Sequence, residues 1–434
     1  MTIPNGFCVL PFTQYSTYNT KDYRLCCMAK DPKIPISQKN KSINEIWNSD
    51  YLKTVRKTMI AGEWHKDCIT CKNLEDSGIT SSRNYENMQK NRFIQNIISK
   101  SKKNNYISEQ PIDFDFRLGN LCNLHCQMCT HHASHLVSVE RAQMLQNKTI
   151  DLSTNKFLNN EDWLENQIDK KLALLENGID WENFLPLLPN VRSIKVIGGE
   201  PTVNADMFRL IDECISSDNA KKISLKFYTN MTNLNQNWLE KLKNFKHVVI
   251  SCSLEGYGKM NDYLRPPSNW EHIWNNFDEL VKFSHNAERK SIRVRVTTVN
   301  QIINSLHLAD FFRFLYEYCK NNNYNLGISS NQLSAPLYYS IRFSPDWIIQ
   351  EQKKQLEDLW KEIQKDNIRD LVLDFRDAIQ DVILFGKNSK YDPAKMKQFI
   401  YVTEAYDIHR KDNILDVFPE FEKIKKDLNY FKSL

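Results

Sequence analysis

Between residues 112 and 335, six short apolar and β-branched runs alternate with amphipathic stretches. Nothing else in the chain constrains its fold as strongly. The runs are IDFDFRL (112–118), VRSIKVIG (191–198), ISLKFYTN (223–230), HVVISCSL (247–254), SIRVRVTT (291–298) and YNLGISS (324–330). Stretches with helical spacing, such as MFRLIDECI (207–215) and WNNFDELVKF (274–283), lie between them. Parallel strands are buried on both faces and need a long return, so this pattern predicts a parallel sheet with crossover helices. Six repeats predict an α/β fold of the TIM type, a partial (β/α)6 barrel rather than a closed one of eight. Ligands of such barrels gather at the C-terminal ends of the strands.

The flanks differ in character. Residues 1–105 hold five of the eleven cysteines and a segment with helical spacing, Ile43 to Ile60. The polar run SKKNNYISEQP (101–111) predicts a linker. The barrel is then expected over 106–335, with a polar, helical insertion at about 131–190, and residues 336–434 form a C-terminal helical extension.

No run of about 18 apolar residues exists, so no membrane span is expected. The start, MTIPNGFCVLPF, lacks the features of a signal peptide, which predicts a cytoplasmic protein. In a reducing compartment clustered cysteines mean metal or catalysis more often than disulfides. The net charge of +5, from 58 basic and 53 acidic residues, argues against nucleic acid as a partner.

The sequence LGNLCNLHCQMCT (118–130) sets Cys122, Cys126 and Cys129 as C-x3-C-x2-C directly after the first expected strand. Thiolates are soft ligands that suit iron–sulfur clusters or zinc. Three of them bind three irons of a cubane and leave the fourth open, whereas a structural zinc site closes with four ligands. A zinc knuckle is the alternative on spacing alone. Three further strand ends carry polar segments: IGGEPTVN (197–204), YTNMT (228–232) and SCSLEG (251–256).

In these motifs the chain resembles the radical S-adenosylmethionine (SAM) superfamily. The resemblance implies a [4Fe-4S] cluster on Cys122, Cys126 and Cys129 whose open iron chelates SAM. It further implies reductive cleavage of SAM to a 5'-deoxyadenosyl radical that takes hydrogen from a substrate. Gly198, Gly199 and Glu200 would then meet the SAM amino group, Asn230 would lie near SAM, and Ser253 would contact its ribose or carboxylate. Two positions depart from the family pattern. Met128 stands where an aromatic residue is usual, and Glu255 stands where Asp is.

The run from Cys8 through RLCCMAK and INEIWNS to DCITCKNLE resembles the auxiliary-cluster domain called SPASM or twitch. This implies an auxiliary [4Fe-4S] or [2Fe-2S] cluster on Cys8, Cys26, Cys68 and Cys71, with Cys27 as the spare of its pair. Here that domain precedes the barrel, which is not its common place. A four-cysteine zinc site is the alternative.

By the same resemblance the substrate is a peptide or protein side chain, with a small metabolite or nucleoside second, and the electron donor is a flavodoxin or ferredoxin. From another class, a non-catalytic zinc-binding interaction protein stays open. Cys214, Cys252 and Cys319 are expected to be small core residues. The histidines of THHASH (130–135) are expected to open the insertion, and Arg295 to face solvent.

Overall fold

The computed structural model describes residues 3–18, 23–29, 41–76, 78, 80–104, 106, 108–150, 178–287, 291–333, 335–366 and 368–430. The middle of the expected insertion, 151–177, lies outside the described residues. All six expected strands form: β3 (Asp113–Arg117), β4 (Ser193–Ile197), β5 (Ser224–Thr229), β6 (His247–Ser253), β7 (Ile292–Asn300) and β8 (Gly327–Gln332). Two more, β1 (Gln14–Thr17) and β2 (Tyr23–Arg24), come from the N-terminal region. The result is one eight-stranded sheet in the order β2-β1-β3-β4-β5-β6-β7-β8. The six expected strands are thus joined by two from the N-terminal region, which contributes to the sheet itself.

By contacts the chain divides into two compact units. The first is Met1–Gly119, Leu175–Phe227 and Lys241–Val248; the second is Asn120–Leu174, Tyr228–Glu240 and Val249–Leu434.

In the first unit β1 runs parallel to β3, with Ser16 opposite Asp115, and pairs antiparallel with β2. β3 and β4 are parallel, with Phe114 opposite Ile194 and Phe116 opposite Val196. Alternate residues point to opposite faces of a strand. Phe114, Phe116, Ile194 and Val196 are accordingly buried together, and the Phe184 ring meets Phe114 and Phe116 at 5.0 Å each. The helix Ala205–Ser216 buries Met207, Leu210, Ile211 and Cys214, a stripe at helical spacing. Cys214 is thus a core residue, as are Cys252 and Cys319.

The segment expected as one helix over 43–60 is two, Ile43–Trp47 and Asp50–Ile60. Ser42 and Glu45 close a capping box on the first, and the Ser49 side chain caps the second. A serine supplied as a cap invites a new helix start, and here it divides the run. The expected linker at 101–111 begins as helix, because Asn91–Lys103 runs into it.

In the second unit β7 and β8 are parallel, with Arg295 opposite Gly327, and the helix Leu308–Asn322 is the crossover between them. Arg295 does not face solvent. It is half-buried, and its Nε would lie 3.0 Å from a Cβ placed on Gly327. The C-terminal extension is helical as expected, with Asp346–Ile363, Arg369–Gly386, Pro393–Arg410 and Phe421–Asp427. Met396, Phe399, Ile400 and Tyr406 share one apolar cluster with Leu124, Cys126 and Met128. The extension is therefore core to the loop that carries the cysteines. No helix among the described residues is long and apolar enough to cross a membrane.

Candidate active site

Short-range hydrogen bonds shape the cysteine loop of the second unit. Cys129 N donates to Cys126 O at 3.0 Å, and Ser134 Oγ donates to Leu124 O at 2.6 Å. Ala133 N and Ser134 N both donate to Thr130 O, forming a turn that delivers His135 to the start of the helix His135–Gln146. Cys126 is buried, while Cys122 and Cys129 are half-buried. Met128 is buried in the apolar cluster.

Asn230 meets this loop. Its Nδ2 donates to Asn123 Oδ1 at 2.8 Å, and Asn123 Nδ2 donates to Thr232 Oγ1 at 2.7 Å. Asn230 Oδ1 accepts from Thr232 N at 3.0 Å, so the side chain is held from both ends. The Ser253 side chain is half-buried at the C-terminal end of β6.

Two residues that the motif reading did not place at the cysteines stand beside them. Arg265 is buried, and its Nη1 pairs with Glu255 Oε1 at 2.8 Å. Glu255 Oε2 accepts from Val299 N at 2.6 Å and Thr298 Oγ1 at 3.3 Å. Burial pushes the Glu255 carboxyl up, while Arg265 and the Val299 N–H pull it back. Burial weakens the Arg265 charge, but Cys126, Glu255, Cys129 and Cys122 outweigh it and raise Arg265 overall. A hydrogen bond from Cys129 favours the Cys126 thiolate against burial, and Arg265 adds to that effect; Cys129 is pushed up by that same bond and by burial. A buried cation beside a thiolate stabilises the charged form that binds metal. No sequence pattern marks Arg265, which owes its place to the turn after Leu264. Glu255, compared with the Asp of the family segment, serves as the partner of this arginine.

In the first unit Gly198 and Gly199 have φ of +92° and +58°, a region that favours glycine. They carry the chain from β4 to Glu200, which is 2% exposed. Glu200 Oε1 accepts from Thr202 N at 3.0 Å and Thr202 Oγ1 at 2.7 Å, which caps the following turn.

The same unit gathers the N-terminal cysteines. Burial raises Cys8, and Cys26, Cys68 and Cys71 add to the rise. Cys26 is pushed to about 12 by burial and by Cys27, Cys68 and Cys71, and Cys68 to about 12 by burial and Cys71. These thiols lie within electrostatic reach of one another. Among the described residues no three His, Cys, Asp or Glu side chains converge on a single metal ion. Cysteines of a cubane bind separate irons and need not converge. The donor set of both groups, thiols alone, fits an iron–sulfur cluster.

The protein anSMEcpe with bound AdoMet is similar over 58% of this chain and 61% of its own, at 17% identity and a TM-score of 0.40. SuiB of Streptococcus suis, bound to S-adenosylmethionine, is similar over 73% of this chain and 60% of its own, at 15% identity and a TM-score of 0.35. The chain thus spans less than two thirds of the length of either. No curated protein matches it. Residues 116–300, less than half of the chain, match the profile of the Radical SAM superfamily, and to that extent the segment is similar to a radical SAM domain.

Proposed function

We propose that this chain is an enzyme that cleaves SAM reductively at a [4Fe-4S] cluster held by Cys122, Cys126 and Cys129, and that its substrate is a peptide or protein side chain. The observation that carries the reading is the three-thiol loop after β3, with buried Arg265 beside it, inside the matched segment. The cluster supplies the electron for SAM cleavage when bound. The chain's own residues do the rest. Arg265 offsets the negative charge of the three thiolates. Asn230 braces the loop through Asn123. Gly198, Gly199 and Glu200 are assigned to the SAM amino group, and Ser253 to its ribose or carboxylate. Cys8, Cys26, Cys68 and Cys71 are assigned to an auxiliary cluster, and a flavodoxin or ferredoxin to electron delivery. The peptide substrate rests on the resemblance of the N-terminal cysteine run to the SPASM and twitch domains.

Anaerobic reconstitution with iron and sulfide, reduction and addition of SAM should yield 5'-deoxyadenosine from the wild type and none from Cys126→Ala. A wild type with intact clusters that makes none, even with candidate peptides present, would remove the reading. The two cysteine groups are separable by iron count. Wild type should hold roughly eight irons if both clusters are cubanes. Cys68→Ala/Cys71→Ala should lose the auxiliary share and keep about four. Equal iron in the two proteins would leave the N-terminal cysteines without a cluster.

A further inference from the structure

We infer that the last turn of the helix Pro393–Arg410 clamps the cysteine loop, with Arg410 as its positioning residue; this rests on the cluster reading above. Three alternate loop residues, His125, Gln127 and Cys129, are each tied to that turn. Arg410 Nη2 donates to the His125 carbonyl at 2.9 Å. Its Nε and Nη2 also bind Glu140 Oε1 and Oε2 at 2.6 and 2.7 Å. Glu140 is buried on the helix that follows the loop. The bidentate pair fixes the guanidinium plane and so aims one N–H at the carbonyl that precedes Cys126.

The other two ties run through an intermediate side chain. Tyr339 Oη donates to Gln127 Oε1 at 2.8 Å, and Gln127 N donates to Leu264 O at 2.9 Å. The neighbour of Leu264, Tyr263, donates through its hydroxyl to Asp407 Oδ1 at 2.8 Å. Arg141 Nη2 donates to the Cys129 carbonyl at 3.4 Å, and Arg141 Nε donates to Tyr406 Oη at 3.4 Å. Tyr406, Asp407 and Arg410 occupy one helical turn, and the Arg410 guanidinium lies 4.2 Å from the centre of the Tyr406 ring. The segment that matches the radical SAM profile ends at residue 300. The metal site of this chain therefore depends on a helix outside that segment.

Groups that orient metal ligands commonly change metal affinity by about 10–100-fold when removed. The test compares Arg410→Met with the double variant Glu140→Leu/Arg410→Met in the full chain. The readouts are melting temperature, iron affinity against a competing chelator, and the electron paramagnetic resonance spectrum of the reduced protein. Arg410→Met alone should lower both the melting temperature and iron affinity, because it leaves buried Glu140 with only His125 Nδ1, at 3.0 Å, in place of the bidentate pair. The double variant removes both charges. It should regain most of the melting temperature, yet bind iron about tenfold or more below wild type and give an altered spectrum, because the His125 carbonyl stays unheld. A double variant with wild-type iron affinity and spectrum would overturn the inference, since the pair would then only stabilise the fold. A double variant that does not regain stability would overturn it as well, by making the pair a determinant of folding. A wild type that binds no iron–sulfur cluster would instead sink the reading of the site.

Discussion

Replacing Arg265 with methionine is expected to lower unfolding free energy by about 3–5 kcal/mol and to strip most of the iron from the cysteine loop. The methionine fills much of the same space but leaves Glu255 buried. Glu255 would keep only the Val299 N–H and the Thr298 hydroxyl. Breaking one side of a buried ion pair costs more than removing both sides, because the remaining charge has no solvent to turn to. The loss of iron has a separate cause. Three thiolates in one loop repel one another, and Arg265 is the buried cation that acts on all three. Glu255→Gln separates the two effects. It breaks the same ion pair, so it should also destabilise the fold, but it leaves the arginine charge beside the cysteines and should keep its iron. Urea unfolding and iron analysis on the two variants check this together. If Glu255→Gln loses as much iron as Arg265→Met, the arginine acts through fold stability alone.

The six central strands were readable because most are short β-branched or apolar runs whose alternate residues are fully buried. IKVI and VVIS leave no other element to choose. β1 and β2 gave no such signal. QYST and YR are brief and polar, and they become strands only because β3 offers an edge to pair with. The division at Asn48 and Ser49 was hidden by continuous helical spacing, although Ser49 is a residue type that caps a new helix start. At the site, the cysteines and Asn230 were legible because they sit at strand ends in a fixed order. Glu255 was noticed only as a departure from a pattern. Its role needed Arg265, which lies ten residues on in a turn with no periodic signature. Arg410 was invisible to local reading, since its partners Glu140 and His125 are 270 and 285 residues away. Only the folded chain brings such residues into contact.

Arg56 gives the second large expected effect, in the unit that gathers the N-terminal cysteines. It is fully buried, and its donors go to the carbonyls of Pro11, Trp47 and Tyr106 and to Asn48 Oδ1, at 2.8 to 3.3 Å. Its guanidinium also lies 4.6 Å from the centre of the Trp47 ring. Burial pulls it down to about 10, with Tyr23 opposing. One side chain thus ties the turn before β1, the break between the two helices and the chain leading to β3. Arg56→Leu leaves the carbonyls of Pro11, Trp47 and Tyr106 without the donor that Arg56 supplies, while Asn48 Oδ1 keeps the Ser108 N–H at 3.0 Å. Each unsatisfied buried acceptor costs about 1–3 kcal/mol, so the sum rivals the roughly 5–15 kcal/mol that holds a typical domain together. Arg56→Leu is therefore expected to unfold the N-terminal region at urea concentrations the wild type survives. Arg56→Lys should recover only part of the loss, because one ammonium cannot reach acceptors arranged around a planar fork. The urea midpoint measured by tryptophan fluorescence reads both, with Trp47 as a probe at the site. A leucine variant as stable as the lysine variant would mean that packing on Trp47, and not the four hydrogen bonds, is what Arg56 contributes.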